Sequence, residues 1–199
     1  MPKLFTPTSI KSLALPNRFI QNRVRILLEA LNSIRQVVGH HFPIFVKINS
    51  EDFLENGLTL EDAIQMGAML DNAGVDAIEV SGGTISSGKY IPFRKEITFE
   101  RDQAYFRRAA KALKSNIQAP IVLIGGIRSY LLAERLVDEG FADYISLSRP
   151  FIRETRLIAR WQSGDLRKAT CISCNGCLGA ARSGRGVYCV QDRNGTRRL

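Results

Sequence analysis

Cysteine is missing from the first 170 residues of this 199-residue chain, and all four cysteines fall between positions 171 and 189. Thiols gathered in this way read as metal ligands or redox groups rather than as a disulfide framework. Long apolar runs are absent too. No stretch of eighteen apolar residues occurs, and MPKLFTPTSIKSLALPNRFI at the start has no apolar core of the signal-peptide kind. Neither a membrane span nor a secretory leader is expected, and the expected location is cytoplasmic. Histidine is scarce. His40 and His41 are the only two, and they precede a strand at the end opposite the active face of such a sheet, so they read as surface residues rather than catalysts. Acidic residues are outnumbered, 19 Asp and Glu against 28 Lys and Arg. Much of the excess lies between 160 and 199, which carries eight Arg or Lys against Asp165 and Asp192. A basic tail can meet phosphates, but beyond Trp161 at its start only Tyr188 supplies an aromatic there; it reads as a solvated segment, and nucleic acid is not the expected partner. Hydrophobic content of 45% with 24% charged residues excludes disorder of the whole chain. The length allows one core with a small appendage.

What is present is a rhythm repeated four times: a short apolar run, a turn, then a stretch with helical spacing. The runs are FPIFVKI (42–48), VDAIEV (75–80), APIVLIG (119–125) and ADYISLS (142–148), and they read as strands buried on both faces, as a parallel sheet requires. Thr59 followed by Leu60, Glu61 and Asp62 is a capping-box-like start for a helix ending near Gly74. Further helices are expected over 101–114, from Ser129 to Gly140 with Leu132, Leu136 and Val137 on one side, and over 150–161. A helix over 22–38, striped by Val24, Leu27, Leu28, Leu31 and Ile34, precedes them all. Strands alternating with helices imply right-handed crossovers, and four such units are half of an eight-stranded (β/α) barrel.

Two junctions carry chemistry. GGIRS (125–129) and LSRP (147–150) each stand where a strand hands over to a helix, and the loops after the last strands of a barrel commonly cradle a phosphate on free N–H groups. Arg149 can add charge-assisted hydrogen bonds. Lys47 lies in an otherwise apolar strand, where it must meet an anion, a polarised carbonyl or water, or else reach out to solvent. Ser81, Gly82 and Gly83 close the next strand and are expected to face the same ligand.

LFTPTSIKSLALPNRFI resembles the opening of the NADH:flavin oxidoreductase family, the Old Yellow Enzyme relatives. QNRVRILLEALNSIRQVVG resembles a helix following the middle of that barrel. FPIFVKINSEDF, DAIEVSGG, APIVLIGGIRS and ADYISLSRPFIRE resemble the second half in order, and CISCNGC its cysteine-rich end, so the resemblance runs along essentially the whole chain. It implies a TIM barrel holding FMN, with hydride passing from NAD(P)H through FMN to an enone-like or related small molecule. By the same resemblance Lys47 would contact the flavin pyrimidine edge, Ser81 and Gly82 would lie beside the cofactor, and Gly125, Gly126, Ser148 and Arg149 would hold its phosphate. Ser148 stands where the relatives carry glycine.

Cys171, Cys174, Cys177 and Cys189 are spaced C-x2-C-x2-C-x11-C, an interval that wraps one corner of a cubane better than it spans a zinc tetrahedron. The trimethylamine dehydrogenase and 2,4-dienoyl-CoA reductase branch has a similar pattern and a [4Fe-4S] cluster, which the resemblance therefore implies. On spacing alone, structural zinc and unligated thiols stay open.

NRFI at 17–20 runs straight into QNRVR, where the relatives carry the first strands, a substrate-binding His/His or His/Asn pair and a proton-donating tyrosine. No catalytic residue is assigned, and impaired turnover is expected; an inactive remnant or interaction module is the alternative. The expected organisation is a barrel-start remnant (1–20), a partial barrel that binds FMN (21–163) and a cysteine-rich basic tail (164–199). Four units cannot close a barrel, and their open edges lead to the expectation of a homo-oligomer.

Overall fold

The computed structural model describes residues 20–194; the barrel-start remnant, apart from its last residue, lies outside the described residues. A leading helix, α1 (Ile20–Val38), is followed by β1 (Phe45–Asn49), α2 (Leu60–Asn72), β2 (Ala77–Ser81), α3 (Arg107–Lys114), β3 (Ile121–Leu123), α4 (Tyr130–Asp138) and β4 (Tyr144–Ile145). The strands form one sheet in the order β1-β2-β3-β4, every neighbouring pair parallel. It is a segment of a (β/α) barrel, with the sheet open on one side.

The local signals that start and stop the helices act as their chemistry dictates. Thr59 Oγ1 accepts from Asp62 N while the Asp62 carboxylate accepts from Thr59 N, a reciprocal cap at the head of α2. Ser129 caps α4 by accepting from Leu132 N. Leu132 and Leu136 are buried, whereas Val137 and, on α1, Ile34 are exposed; both expected stripes are narrower than their apolar residues suggest.

Two expected helices are broken. The stretch over 101–114 is a 3-10 turn at Glu100–Asp102 followed by α3, because Ala104 takes φ +51, a left-handed conformation no α-helix admits. The stretch over 150–161 divides into α5 (Arg149–Arg153) and α6 (Leu157–Gln162). Glu154 leaves the helix between them, and its carboxylate receives Thr170 N, Thr170 Oγ1 and the Arg160 guanidinium. Two short helices, α7 (Gly176–Arg182) and α8 (Val190–Asn194), fold the tail back on the body.

Ile48, Ile78, Val80, Ile121 and Leu123 bury the helix-covered face of the sheet against Met66, Leu70, Ala110, Leu113, Leu132 and Leu136. Residues of the opposite pleat, Phe45 and Lys47 on β1 and Tyr144 on β4, are exposed. A small second core joins Leu157, Trp161 and Ala169, with Trp161 Nε1 donating to the Arg167 carbonyl. At the amino ends of the strands, carboxylates latch neighbouring segments together. Asp76 accepts from Ile44 N and Arg35, Asp143 from Ile121 N and Lys114, and Asp71 from Gln118 N and Ala119 N.

Candidate functional site

The carboxyl ends of the four strands surround a cavity of about 540 Å³, within the usual size of small-molecule sites. Lys47 reaches it from β1, Glu79 and Ser81 from β2, Gly125 and Gly126 from the β3–α4 junction, and Ser148 and Arg149 from the β4–α5 junction. Gly82 is not among the lining residues. A Cβ there would meet the Phe106 ring at 2.8 Å and Ser50 Oγ at 3.0 Å, so this glycine packs the sheet behind the site. Gly83 is glycine for a similar reason: its φ is +78, and a Cβ would overlap the Tyr90 carbonyl oxygen.

Lys47 both pairs and reaches solvent. The parallel register sets it opposite Glu79, its Nζ lies 2.5 Å from Glu79 Oε1, and its side chain is 57% exposed. The cation expected to face a ligand therefore starts out half neutralised by a carboxylate lining the same cavity.

Gly125 and Gly126 adopt φ +128 and +72, which lets the backbone swing past the Tyr105 ring. Among the described residues, the amides of Gly126, Ile127 and Ser148 donate to no backbone or side-chain acceptor. They are the free donors an anion at this end of the sheet needs. Ser148 takes φ −128, where a Cβ is tolerated, so serine in place of glycine carries no backbone strain. Arg149 is less free than expected. Its Nη1 donates to the Arg94 carbonyl at 2.9 Å and to Asn175 Oδ1 at 2.5 Å.

Apart from Cys177, expected as a metal ligand, the far wall of the cavity is not legible in the sequence. Pro92, Phe93, Tyr105, Asn175, Cys177, Leu178 and Ala181 close it, bringing the β2–α3 connection and α7 over the sheet. Only Asn175 carried a local signal. It stands in an Asn-Gly pair and takes φ +60, a conformation asparagine tolerates better than most residues. The Tyr105 hydroxyl donates to the Pro92 carbonyl, and burial pushes its pKa up. Behind it the Arg94 guanidinium lies 4.3 Å from the Tyr105 ring centroid and 5.3 Å from that of Tyr90. Burial lowers the Arg94 pKa, and its Nε is buried with no partner.

All four cysteines border a second, small cavity of about 20 Å³ on the other side of Arg149. They are free thiols, and burial pushes Cys177 up. Among the described residues, no three His, Cys, Asp or Glu stand together as a ready-made site for a single metal ion. An all-thiol donor set suits a four-iron cluster and a structural zinc alike. Arg149, Ile152, Asn175 and Cys177 line both cavities.

Residues 19–167 match the sequence profile of the NADH:flavin oxidoreductase / NADH oxidase family. The match stops short of Cys171, so it leaves out the tail that the sequence resemblance had included. An NADH oxidase from Thermoanaerobacter brockii is 33% identical over 165 residues, which are 80% of this chain and 24% of that protein. A metal reductase from Desulforamulus reducens is 28% identical over 86% of this chain and 25% of its own length. Among solved structures, a 2-naphthoyl-CoA reductase in complex with 2-naphthoyl-CoA superposes with a TM-score of 0.71 at 29% identity, covering 84% of this chain and 25% of its own. Histamine dehydrogenase from Rhizobium sp. 4-9 shares the fold, with a TM-score of 0.68 at 21% identity. The chain spans about a quarter of the length of these relatives.

Proposed function

The chain belongs to the NADH:flavin oxidoreductase / NADH oxidase family, and on that premise we propose that it is the FMN-binding part of an oxidoreductase that moves hydride from NAD(P)H to an enone-like or related small molecule. The observation that carries this reading is the cavity at the carboxyl ends of the strands, with two glycines at positive φ, free amides, two cations and the Glu79 carboxylate, between apolar surfaces supplied by Ile124 and Leu147 on one side and Leu178 on the other. Those groups fit a flat heteroaromatic ring ending in a phosphate. FMN supplies hydride chemistry when bound.

The chain's own residues supply binding and electrostatics. The amides of Gly126, Ile127 and Ser148 take the phosphate oxygens, with Arg149 beside them. Lys47 offers positive charge to the electron-rich edge of the ring, and Ser81 adds a hydroxyl nearby. Ile124, Leu147 and Leu178 exclude water from the ring face. Gly82 and Gly125 act by leaving space rather than by contact. Cys171, Cys174, Cys177 and Cys189 hold an iron–sulfur cluster beside the cofactor. Residues 21–163 serve as the FMN-binding unit and 164–199 as the cysteine-rich tail; the protein acts in the cytoplasm and associates with a second copy.

A second reading, a binding module without turnover, is favoured by one observation. Lys47 is exposed on an open sheet face, and a reaction that must exclude water has no cover there.

Titration of FMN into the purified chain, followed by quenching of flavin fluorescence, tests the proposal. Saturable binding is expected, weakened about a hundredfold or more in Gly126→Asp, because a carboxylate would face the phosphate. Equal affinity in that variant would remove the phosphate assignment. Saturable FMN binding with no NAD(P)H oxidation decides for the binding module.

A further inference from the structure

Each of the two junctions in the candidate phosphate site carries an arginine, and both arginines are tied to the cysteine loop. Arg128 follows Gly126 by two residues. Its Nη1 donates to the Cys171 carbonyl at 2.6 Å, its Nη2 donates to the Ile97 carbonyl, and its Nε is buried without a partner. Arg149 follows Ser148 directly. Its Nη1 donates to Asn175 Oδ1 and the Arg94 carbonyl, while Asn175 Nδ2 donates to the Phe93 carbonyl at 2.6 Å. Asn175, 8% exposed and left-handed, stands between Cys174 and Cys177, and its neighbour Ser173 is likewise left-handed and buried. The Ser173 carbonyl accepts from Glu96 N. The loop that presents the thiols is thus clamped at two points to the loops that would present amides to a phosphate.

From this geometry we infer that Asn175 is a positioning residue coupling the state of the four cysteines to the cofactor cavity. The inference rests on the reading of the cavity as an FMN site and of the thiols as an iron–sulfur site. When the thiolates are ligated, the 171–177 backbone is held, Asn175 keeps its left-handed turn, and its amide fixes the Arg149 guanidinium between the two cavities. When they are not, the loop is free to sample other conformations, Asn175 leaves Arg149, and the β4–α5 junction keeps only the Arg94 carbonyl as a partner for that guanidinium. Outer contacts of this kind orient the groups that touch a ligand, and metal binding is coupled to the order of the loop that supplies its thiols. The coupling must be reciprocal: whatever factor cluster loading adds to FMN affinity, FMN adds to cluster retention.

The test compares FMN dissociation constants of the full chain in two states, iron-free and reconstituted anaerobically with ferrous iron and sulfide. The same pair is measured for Asn175→Gly, which keeps the left-handed backbone and removes only the side-chain amide. For the unsubstituted chain the loaded form is expected to bind FMN about tenfold tighter, and saturating FMN is expected to slow iron loss to a chelator by a similar factor. In Asn175→Gly both ratios fall toward one while iron content per chain is unchanged. FMN bound equally well by loaded and iron-free chains, a chain that takes up no iron, or a ratio undiminished in Asn175→Gly overturns the inference while leaving the FMN site standing. Failure of FMN to bind in either state overturns the FMN site itself, and the coupling with it.

Discussion

Lys47 and Glu79 make opposite predictions from one contact. Their 2.5 Å pair sets a cation and a carboxylate side by side on the cavity wall. Glu79→Gln leaves the lysine charge unopposed and is expected to raise the midpoint potential of bound FMN, whereas Lys47→Gln lowers it, each by roughly tens of millivolts, the scale of 1–2 kcal/mol for a two-electron couple. Spectroelectrochemical titration of the two variants checks the sign, and shifts in the same direction would exclude a role for the pair. Gly83 supports a stability prediction. With φ +78 and no room beside the Tyr90 carbonyl, Gly83→Ala is expected to cost more than ~3 kcal/mol of folding free energy, read as a lower urea midpoint. The SGG segment was legible as a special place, but not what each residue does there. Ser81 faces the cavity, while Gly82 answers to Phe106 and Gly83 to Tyr90, contacts made by the folding of the connection after β2 and not written in the SGG triplet itself.

At the scale of elements, the parallel strands depend on carboxylates at their entry. Asp76 is held below the usual carboxylate range by the Ile44 N–H and by Arg35. Burial pushes Asp143 up, but the Ile121 N–H and Lys114 more than offset it, and its pKa is lowered overall. A carboxyl with a lower pKa in the folded than in the unfolded chain adds stability that is present above about pH 4 and lost as pH falls through the folded value. Asp143→Asn is therefore expected to be less stable at pH 7 by about 1 kcal/mol, given partial exposure and screening. The difference should shrink as pH falls below the ordinary carboxylate range and vanish once the folded carboxyl is protonated, as denaturant midpoints followed down the acid range would reveal; a constant difference would show that the charge is not responsible. The strands are legible as short apolar runs between turns, α1 from apolar spacing sustained over 19 residues, and α2 and α4 because spacing agrees with a side-chain cap. The break at Ala104, the excursion of Glu154, and α7 and α8 are not. Each is decided by a contact made across the fold, and helices of seven and five residues are too short to show a period.

At the scale of the whole molecule, the sheet's open pleat leaves Phe45 at 65% and Tyr144 at 60% exposure, on the same side as Lys47. Large apolar side chains on an uncovered sheet face favour association. Light scattering is expected to show a concentration-dependent dimer or larger species, shifted toward monomer by Phe45→Lys, a substitution on an exposed position that should leave the fold intact. A cooperative, stable monomer at all concentrations would contradict this. The parallel order of the sheet was legible from four repeated units. That the tail would form part of the far wall of the cavity at the strand ends was not, because nothing in a run of cysteines states which surface it will cover.

The chain's single tryptophan has a use that follows from where it sits. Trp161 belongs to the small second core with Leu157 and Ala169, hydrogen-bonded to the Arg167 carbonyl, and the Ala169 amide donates to the Arg128 carbonyl. Its emission is therefore a built-in reporter on the contact between body and tail. Peeling the tail away would wet the indole and shift its fluorescence to longer wavelength, and a flavin captured nearby would quench it by energy transfer. One intrinsic chromophore thus reads both events in the same cuvette, with no label attached.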